Sequence, residues 1–154
     1  MKVSAFIDVG TNSTNLLVTD GDSDITRRIA VTRLGEGLHS SGSLSPAAIA
    51  RTVSVIAQHA DTARSLGANT VTIVGTAACR RAGNTSGLVA AVHDATGLVL
   101  EVISPEEEAR LSFAGATRGL PGLDTGSDVM IVDIGGGSTE ISIGTDTQIG
   151  RAHV

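Results

Sequence analysis

Two stretches of this chain, IDVGTNSTNL at residues 7–16 and VDIGGGSTEI at residues 132–141, constrain its fold more than any other feature. Each reads as an apolar strand, an Asp, a branched aliphatic residue, a Gly, two small residues, Ser, Thr and a second strand. The Asp stands at a strand end, where the pleat can aim it into a cleft. The small residues after it let the backbone turn tightly and present its N–H groups to an anion. A carboxylate repels phosphate, so each Asp is better read as a holder of Mg²⁺ through water. Gly, Asn and Ser also suit an ordinary hairpin turn, but one order of residues after two matching strands argues for more than that. No G-x-x-x-x-G-K-[ST] element is present, and the glycines open a strand and not a helix, so neither a P-loop nor a dinucleotide fingerprint is present.

The surrounding pattern gives the architecture. Residues 3–9 and 14–20 are short β-rich runs, and 25–34 supplies a third strand after the turn DGDSD. Ser45 and Pro46 open a helix whose apolar face is expected at Ile49, Val53, Ile56, Ala57, Ala60 and Ala63, with Gly67 as its stop. A buried strand at 70–75, a short helical piece through Arg80 and Arg81, a helix over about 85–96 closed by Gly97, and a strand at 98–104 follow. A helix from Pro105 and a last hairpin, DVMIVDI with STEISIG, complete the order. Strands joined first by hairpins and then by helical crossovers predict an α/β fold with a mixed sheet. With two Phe and no Trp or Tyr, the core must be Val, Ile, Leu and Ala, which suits a sheet packed on helices.

Charge and composition remove several functions. A net charge of −5 leaves no broad basic surface for phosphate-backbone binding, and the missing aromatics leave no base-stacking platform, so nucleic acid is not an expected partner. The lone Cys79 allows neither an intrachain disulfide nor a multi-Cys zinc site, and it reads as a small packing residue. His39, His59, His93 and His153 show no metal-ligand spacing. The opening MKVSAFID meets a charge too early for a signal peptide or membrane span, so no membrane association and a cytoplasmic location are expected.

The paired Asp-Gly turns resemble the phosphate loops of the actin, sugar-kinase and heat-shock ATPase superfamily, in which two ribonuclease-H-like domains face each other across a nucleotide cleft. TRLGEGL at 32–38, VGTAACRRAGN at 74–84 and ISPEEEARLSFAGA at 103–116 narrow this to a resemblance to the Ppx/GppA exopolyphosphatase and guanosine pentaphosphate phosphohydrolase family. The resemblance implies a ribonuclease-H-like mixed sheet, three antiparallel strands followed by parallel ones, as the first half of an actin-like two-domain fold. It implies Glu108 as general base on the attacking water, and Asp8 and Asp133 as the carboxylates near Mg²⁺ or another divalent cation. It implies Gly10, Thr11, Asn12 and Ser13, with Gly135, Gly136, Gly137 and Ser138, as phosphate-holding turns, and Arg33 and Arg80 as clamps on phosphate oxygens. The substrate would be inorganic polyphosphate or guanosine pentaphosphate. Pro105 departs from the family pattern, which has Gly there, and stiffens the approach to Glu108.

Local chemistry bears on the acids independently. Ser104 can cap the helix, Pro105 suits its first position, and Glu107 is expected to complete a capping box. Glu108 lies about 100° further round and has no such task. Arg81 should face solvent. The expected division is a ribonuclease-H-like domain over 1–125 and the first hairpin of a second domain over 126–154, an N-terminal fragment with little activity of its own. A lone hairpin is marginal in water, so it is expected to pack back on the chain, to pair with another copy as a homodimer, or to be poorly ordered. Two other readings stand beside the phosphohydrolase: a kinase or ATPase of the same superfamily, and a non-catalytic module that binds phosphate polymers.

Overall fold

The computed structural model describes residues 2–118 and 128–145, and the backbone of 149–153. The chain divides into two compact units, Met1–Val102 and Ile103–Val154. The domain boundary expected at 125/126 lies outside the described residues.

In the first unit, β1 (Ser4–Val9), β2 (Ser13–Thr19) and β3 (Asp24–Val31) form an antiparallel meander. Strands β4 (Thr70–Gly75) and β5 (Leu100–Val102) add in parallel beyond β1, giving the order β3-β2-β1-β4-β5. This is the mixed sheet that the sequence predicts. Alternation explains the layers: Ala5, Ile7 and Val9 of β1 and Leu16 and Val18 of β2 are buried. They meet α2 (Pro46–Ser65), which packs on β1 and β2 and against α4 (Thr85–Thr96). Ser45 caps α2 by accepting the Ala48 N–H at 3.2 Å, with Pro46 at the first turn as expected. Gly97 ends α4 in the left-handed conformation at φ 70° and donates to the His93 carbonyl.

Several boundaries differ from the sequence reading. The buried face of α2 is Ala48, Thr52, Ile56, His59, Ala60 and Ala63, while Ile49 and Val53 are only partly covered. The helix therefore turns its small residues to the sheet, which lets the two layers approach closely. Strand β3 ends at Val31, and the run to residue 34 leaves the sheet to fold over the first Gly turn. A short helix, α1 (Leu38–Ser41), follows it, and the helical piece after β4 is α3 (Ala77–Arg81). Strand β5 keeps three residues of the expected seven, because β4 offers partners only from Ile73 to Gly75.

In the second unit, α5 (Pro105–Thr117) packs against β6 (Val129–Ile134), β7 (Thr139–Gly144) and β8 (Ile149–His153), an antiparallel sheet of order β6-β7-β8. The last hairpin is thus not alone: a third strand flanks it and a helix covers one face. Ala109 and Phe113 of α5 are buried, as are Glu140 and Ser142 of β7. The larger apolar side chains, Met130, Val132, Ile134, Ile141 and Ile143, occupy the other face and are 38–78% exposed. Among the described residues, no helix is long and apolar enough to cross a membrane.

Candidate active site

The first turn is built by one short bond. Between the paired ends Val9 and Thr14, the Gly10 N–H donates to the Ser13 carbonyl at 2.9 Å. A Cβ at residue 10 would stand 3.1 Å from that oxygen, so the close approach favours glycine. The segment after β3 then straps the turn from outside. Thr32 and Arg33 both donate N–H to the Asn12 carbonyl, at 3.0 and 2.9 Å, and Gly35 donates to the Thr11 carbonyl at 2.9 Å. A Cβ at Gly35 would drive into Cγ2 of Thr11. Arg33 is held at φ 49°, the only non-glycine residue in the left-handed region among those described, a conformation that costs about 1–2 kcal/mol. Its side chain is exposed, while its backbone is bonded to Asn12.

Buried polar groups support the strap from beneath. The Thr14 and Thr32 hydroxyls bond each other at 3.0 Å, and Nε2 of His59 lies 3.3 Å from the Thr14 carbonyl. Burial pushes the His59 imidazole below its ordinary pKa, only partly offset by that bond, with Arg28 pushing the same way as burial. Arg51 donates to the Thr32 carbonyl at 3.2 Å and pairs with Glu36 at 2.7 Å. At the strand ends, Asp8 Oδ2 accepts from the Asn15 side-chain amide across the strands at 3.1 Å, and Asn15 Oδ1 is buried with no partner among the described residues. Helix α3 carries Arg80, half-buried, and Arg81, exposed as expected. The buried Cys79 between them and the sheet senses both Arg80 and Asp8, and desolvation pushes its thiol up to about 11. It is a packing residue, with Sγ 2.7 Å from where a Gly75 Cβ would stand. Asp8, the turn and Arg80 thus gather at the carboxyl ends of β1 and β4, where open α/β sheets bind ligands.

The second turn repeats the first. Between Ile134 and Thr139, the Gly135 N–H donates to the Ser138 carbonyl, again at 2.9 Å, and a Gly135 Cβ would stand 3.3 Å from that oxygen. Position for position, Gly136 and Gly137 replace Thr11 and Asn12, and Glu140 replaces Asn15. Asp133 accordingly faces Glu140 across the strands. Glu140 is 2% exposed and its Oε1 is buried with no partner among the described residues. Helix α5 lies over this face: Ser112 donates its hydroxyl to Asp133 Oδ2 at 2.7 Å, and Ser142 reaches the Ala109 carbonyl at 3.5 Å. Glu108, one helical turn before Ser112, is half-buried, and its N–H closes the first turn on the Ser104 carbonyl.

Ser104 caps α5 by accepting the Glu107 N–H at 3.2 Å, as expected. The reciprocal half of the box is absent among the described residues. Both Glu107 oxygens bond Arg110, at 2.6 and 2.8 Å, because a bidentate guanidinium outcompetes one backbone N–H. That contact holds the Glu107 carboxyl below its ordinary pKa.

The donor set fits a hard divalent cation in the second unit. Two carboxylates directly opposite each other destabilise a sheet, and a buried carboxylate oxygen without a partner is costly. Among the described residues no cluster of three or more metal-ligating side chains forms. Mg²⁺ asks for less, one or two carboxylates with water and phosphate oxygens completing its shell. Glu140 and Ser112 carried no weight in the sequence reading, although Glu140 stands in the quoted stretch where Asn15 stands in the other.

The family model described as the Ppx/GppA phosphatase family matches residues 7–153. This chain belongs to that family. It is 38% identical over 153 residues to exopolyphosphatase 2 of Mycobacterium tuberculosis, covering 91% of this chain and 47% of that protein. The crystal structure of the Aquifex aeolicus Ppx/GppA phosphatase superposes with a TM-score of 0.85 at 32% identity, over 99% of this chain and 51% of that one. MreB5 of Spiroplasma citri, at 15% identity and a TM-score of 0.53 over 99% of this chain and 51% of that one, shares the fold alone. The chain spans about half the length of the relatives it matches. For this Ppx/GppA member, the fold observed is the mixed sheet shared with these structures.

Proposed function

We propose that this chain contributes the base, the cation-holding acids and the phosphate-holding turns of a metal-dependent phosphohydrolase that releases terminal phosphate from inorganic polyphosphate. The observation that carries the reading is the repeated turn, with an Asp at each strand end and, beside the second, a buried carboxylate whose Oε1 has no partner among the described residues. Amides within Thr11–Ser13 and Gly136–Ser138, in turns closed by the Gly10 and Gly135 N–H groups, hold phosphate oxygens together with the cationic side chains of Arg33 and Arg80. Each such charge-assisted bond contributes about 1.5–3 kcal/mol. Asp133 and Glu140 would hold Mg²⁺, and Asp8 would hold a cation's water shell at the first turn. The cation, when bound, neutralises charge on the phosphates.

Glu108 accepts a proton from water as the water oxygen forms its bond to the terminal phosphorus. The bond from that phosphorus to the bridging oxygen breaks, and the shortened polymer leaves with the bridging oxygen's electron pair. Guanosine pentaphosphate offers the same terminal group to the same residues and is the second substrate of this reading. The test is phosphate release from each substrate with Mg²⁺ and with EDTA, on this chain and on one extended to its relatives' full length. Mg²⁺-dependent release by the extended chain is expected, with little from this chain alone. Metal-independent release, or release from ATP only, would sink the proposal.

A further inference from the structure

We infer that Ser112 is a positioning residue, which orients the Asp133 carboxylate so that it and Glu140 can share one divalent cation. The inference rests on the reading that these two acids hold the cation. In the first hairpin, the Asp at the strand end receives its hydrogen bond from the residue opposite it, Asn15, at 3.1 Å. In the second hairpin that opposite residue is Glu140, a carboxylate, which has no proton to give in its ionised form. The missing donor arrives from elsewhere. Ser112 of α5 donates to Asp133 Oδ2 at 2.7 Å, the short length typical of a hydroxyl on a carboxylate.

Three consequences follow from that replacement. One oxygen of Asp133 is engaged by a neutral hydroxyl, which leaves its second oxygen for a cation. Its side-chain rotation is fixed, as outer hydrogen bonds to metal-holding carboxylates commonly achieve. The donor also sits four residues after Glu108, on the same face of one helix, so the proposed base and the proposed cation site share a rigid connection. The contact from Ser142 to the Ala109 carbonyl ties the same turn of α5 to the neighbouring strand.

The test uses Mn²⁺ in place of Mg²⁺ and reads the free ion by electron paramagnetic resonance, with this chain and its Ser112→Ala, Ser112→Thr and Asp133→Asn variants. Asp133→Asn should abolish measurable binding. Ser112→Ala should weaken it about 10-fold, and Ser112→Thr, which keeps the hydroxyl, should stay within about threefold of the unaltered chain. The thermal midpoint of Ser112→Ala in EDTA should hold or rise, since Ala favours the helix interior over Ser. If Ser112→Ala binds Mn²⁺ as tightly as the unaltered chain while Asp133→Asn does not, the role of Ser112 fails and the cation reading survives. If Asp133→Asn binds as well as the unaltered chain, or the unaltered chain binds none, the cation reading fails and takes this inference with it. Weakening by Ala and Thr alike, in step with a lower midpoint, would reduce Ser112 to a packing contact.

Discussion

The two Gly turns share a backbone and differ in what surrounds it. Each closes with the same 2.9 Å bond from Gly to Ser. The first carries side chains at Thr11 and Asn12, is strapped by residues 32–35, and sets a neutral amide opposite its Asp. The second is three glycines in a row, is backed by a helix, and sets a second acid opposite its Asp. On the proposed reading, one hydrogen-bonded scaffold supports two chemistries: an anion grip whose Asp is bonded within the protein, and an acid pair that would take a cation. What separates them is the residue opposite the Asp, two places beyond the turn.

The largest effect should come from the base beside the second turn. Glu108→Gln in an extended, active chain should lower phosphate release by about 10²–10⁴ while leaving polyphosphate binding intact. Equal rates for both proteins, measured by phosphate release, would remove Glu108 from that role. Exchanging the distinguishing residue cuts more finely. Glu140→Gln gives Asp133 an amide donor like the one Asp8 has, so stability in EDTA should rise by about 1 kcal/mol while stabilisation by Mg²⁺ disappears. Asn15→Asp should do the reverse to the first turn, costing about 1 kcal/mol in EDTA and recovering it when Mg²⁺ is added. Thermal melts of both variants with and without Mg²⁺ decide this, and a Glu140→Gln protein still stabilised by Mg²⁺ would break the contrast.

The strap offers a third route. Gly35→Ala should destabilise the first unit by about 1–3 kcal/mol through its clash with Thr11. Thr11→Gly, which copies Gly136 into the first turn, should restore most of that loss in a double-mutant cycle, and strict additivity would deny the contact its importance. A last test lies at Arg33. Arg33→Gly releases a left-handed residue from strain and should raise stability by about 1 kcal/mol, yet weaken polyphosphate binding in a titration. Gain of binding, or loss of stability, would contradict the view that this strain serves the ligand.

The hairpins and the capping of α2 and α5 by Ser45 and Ser104 were legible because each rests on local chemistry, either period-two alternation or a side chain three residues from its partner, whereas the sheet topology came from the family resemblance. What escaped depends on distant neighbours. Nothing near Arg33 signals its positive φ, which is imposed by the Asn12 carbonyl about two strands earlier. His59 and Thr52 are buried because the small residues of α2 bring that side to the sheet, a choice its apolar pattern does not specify. In TEISIG, alternation alone would turn the isoleucines inward, whereas α5 covers Glu140 and Ser142. That inversion hid the acid pair. Ser112 escaped for the same reason, since its partner lies on another element.

The chain's single thiol has a practical consequence. Cys79 is buried, and desolvation pushes its thiol up to about 11, so it should react with maleimides far more slowly than an exposed thiol near neutral pH. A cysteine substituted at exposed Asn12 could therefore carry a fluorophore or nitroxide as the sole labelled position, with the native sulfur left in place. The molecule arrives already suited to reporting, by colour or by spin, whether a polymer settles onto its first turn.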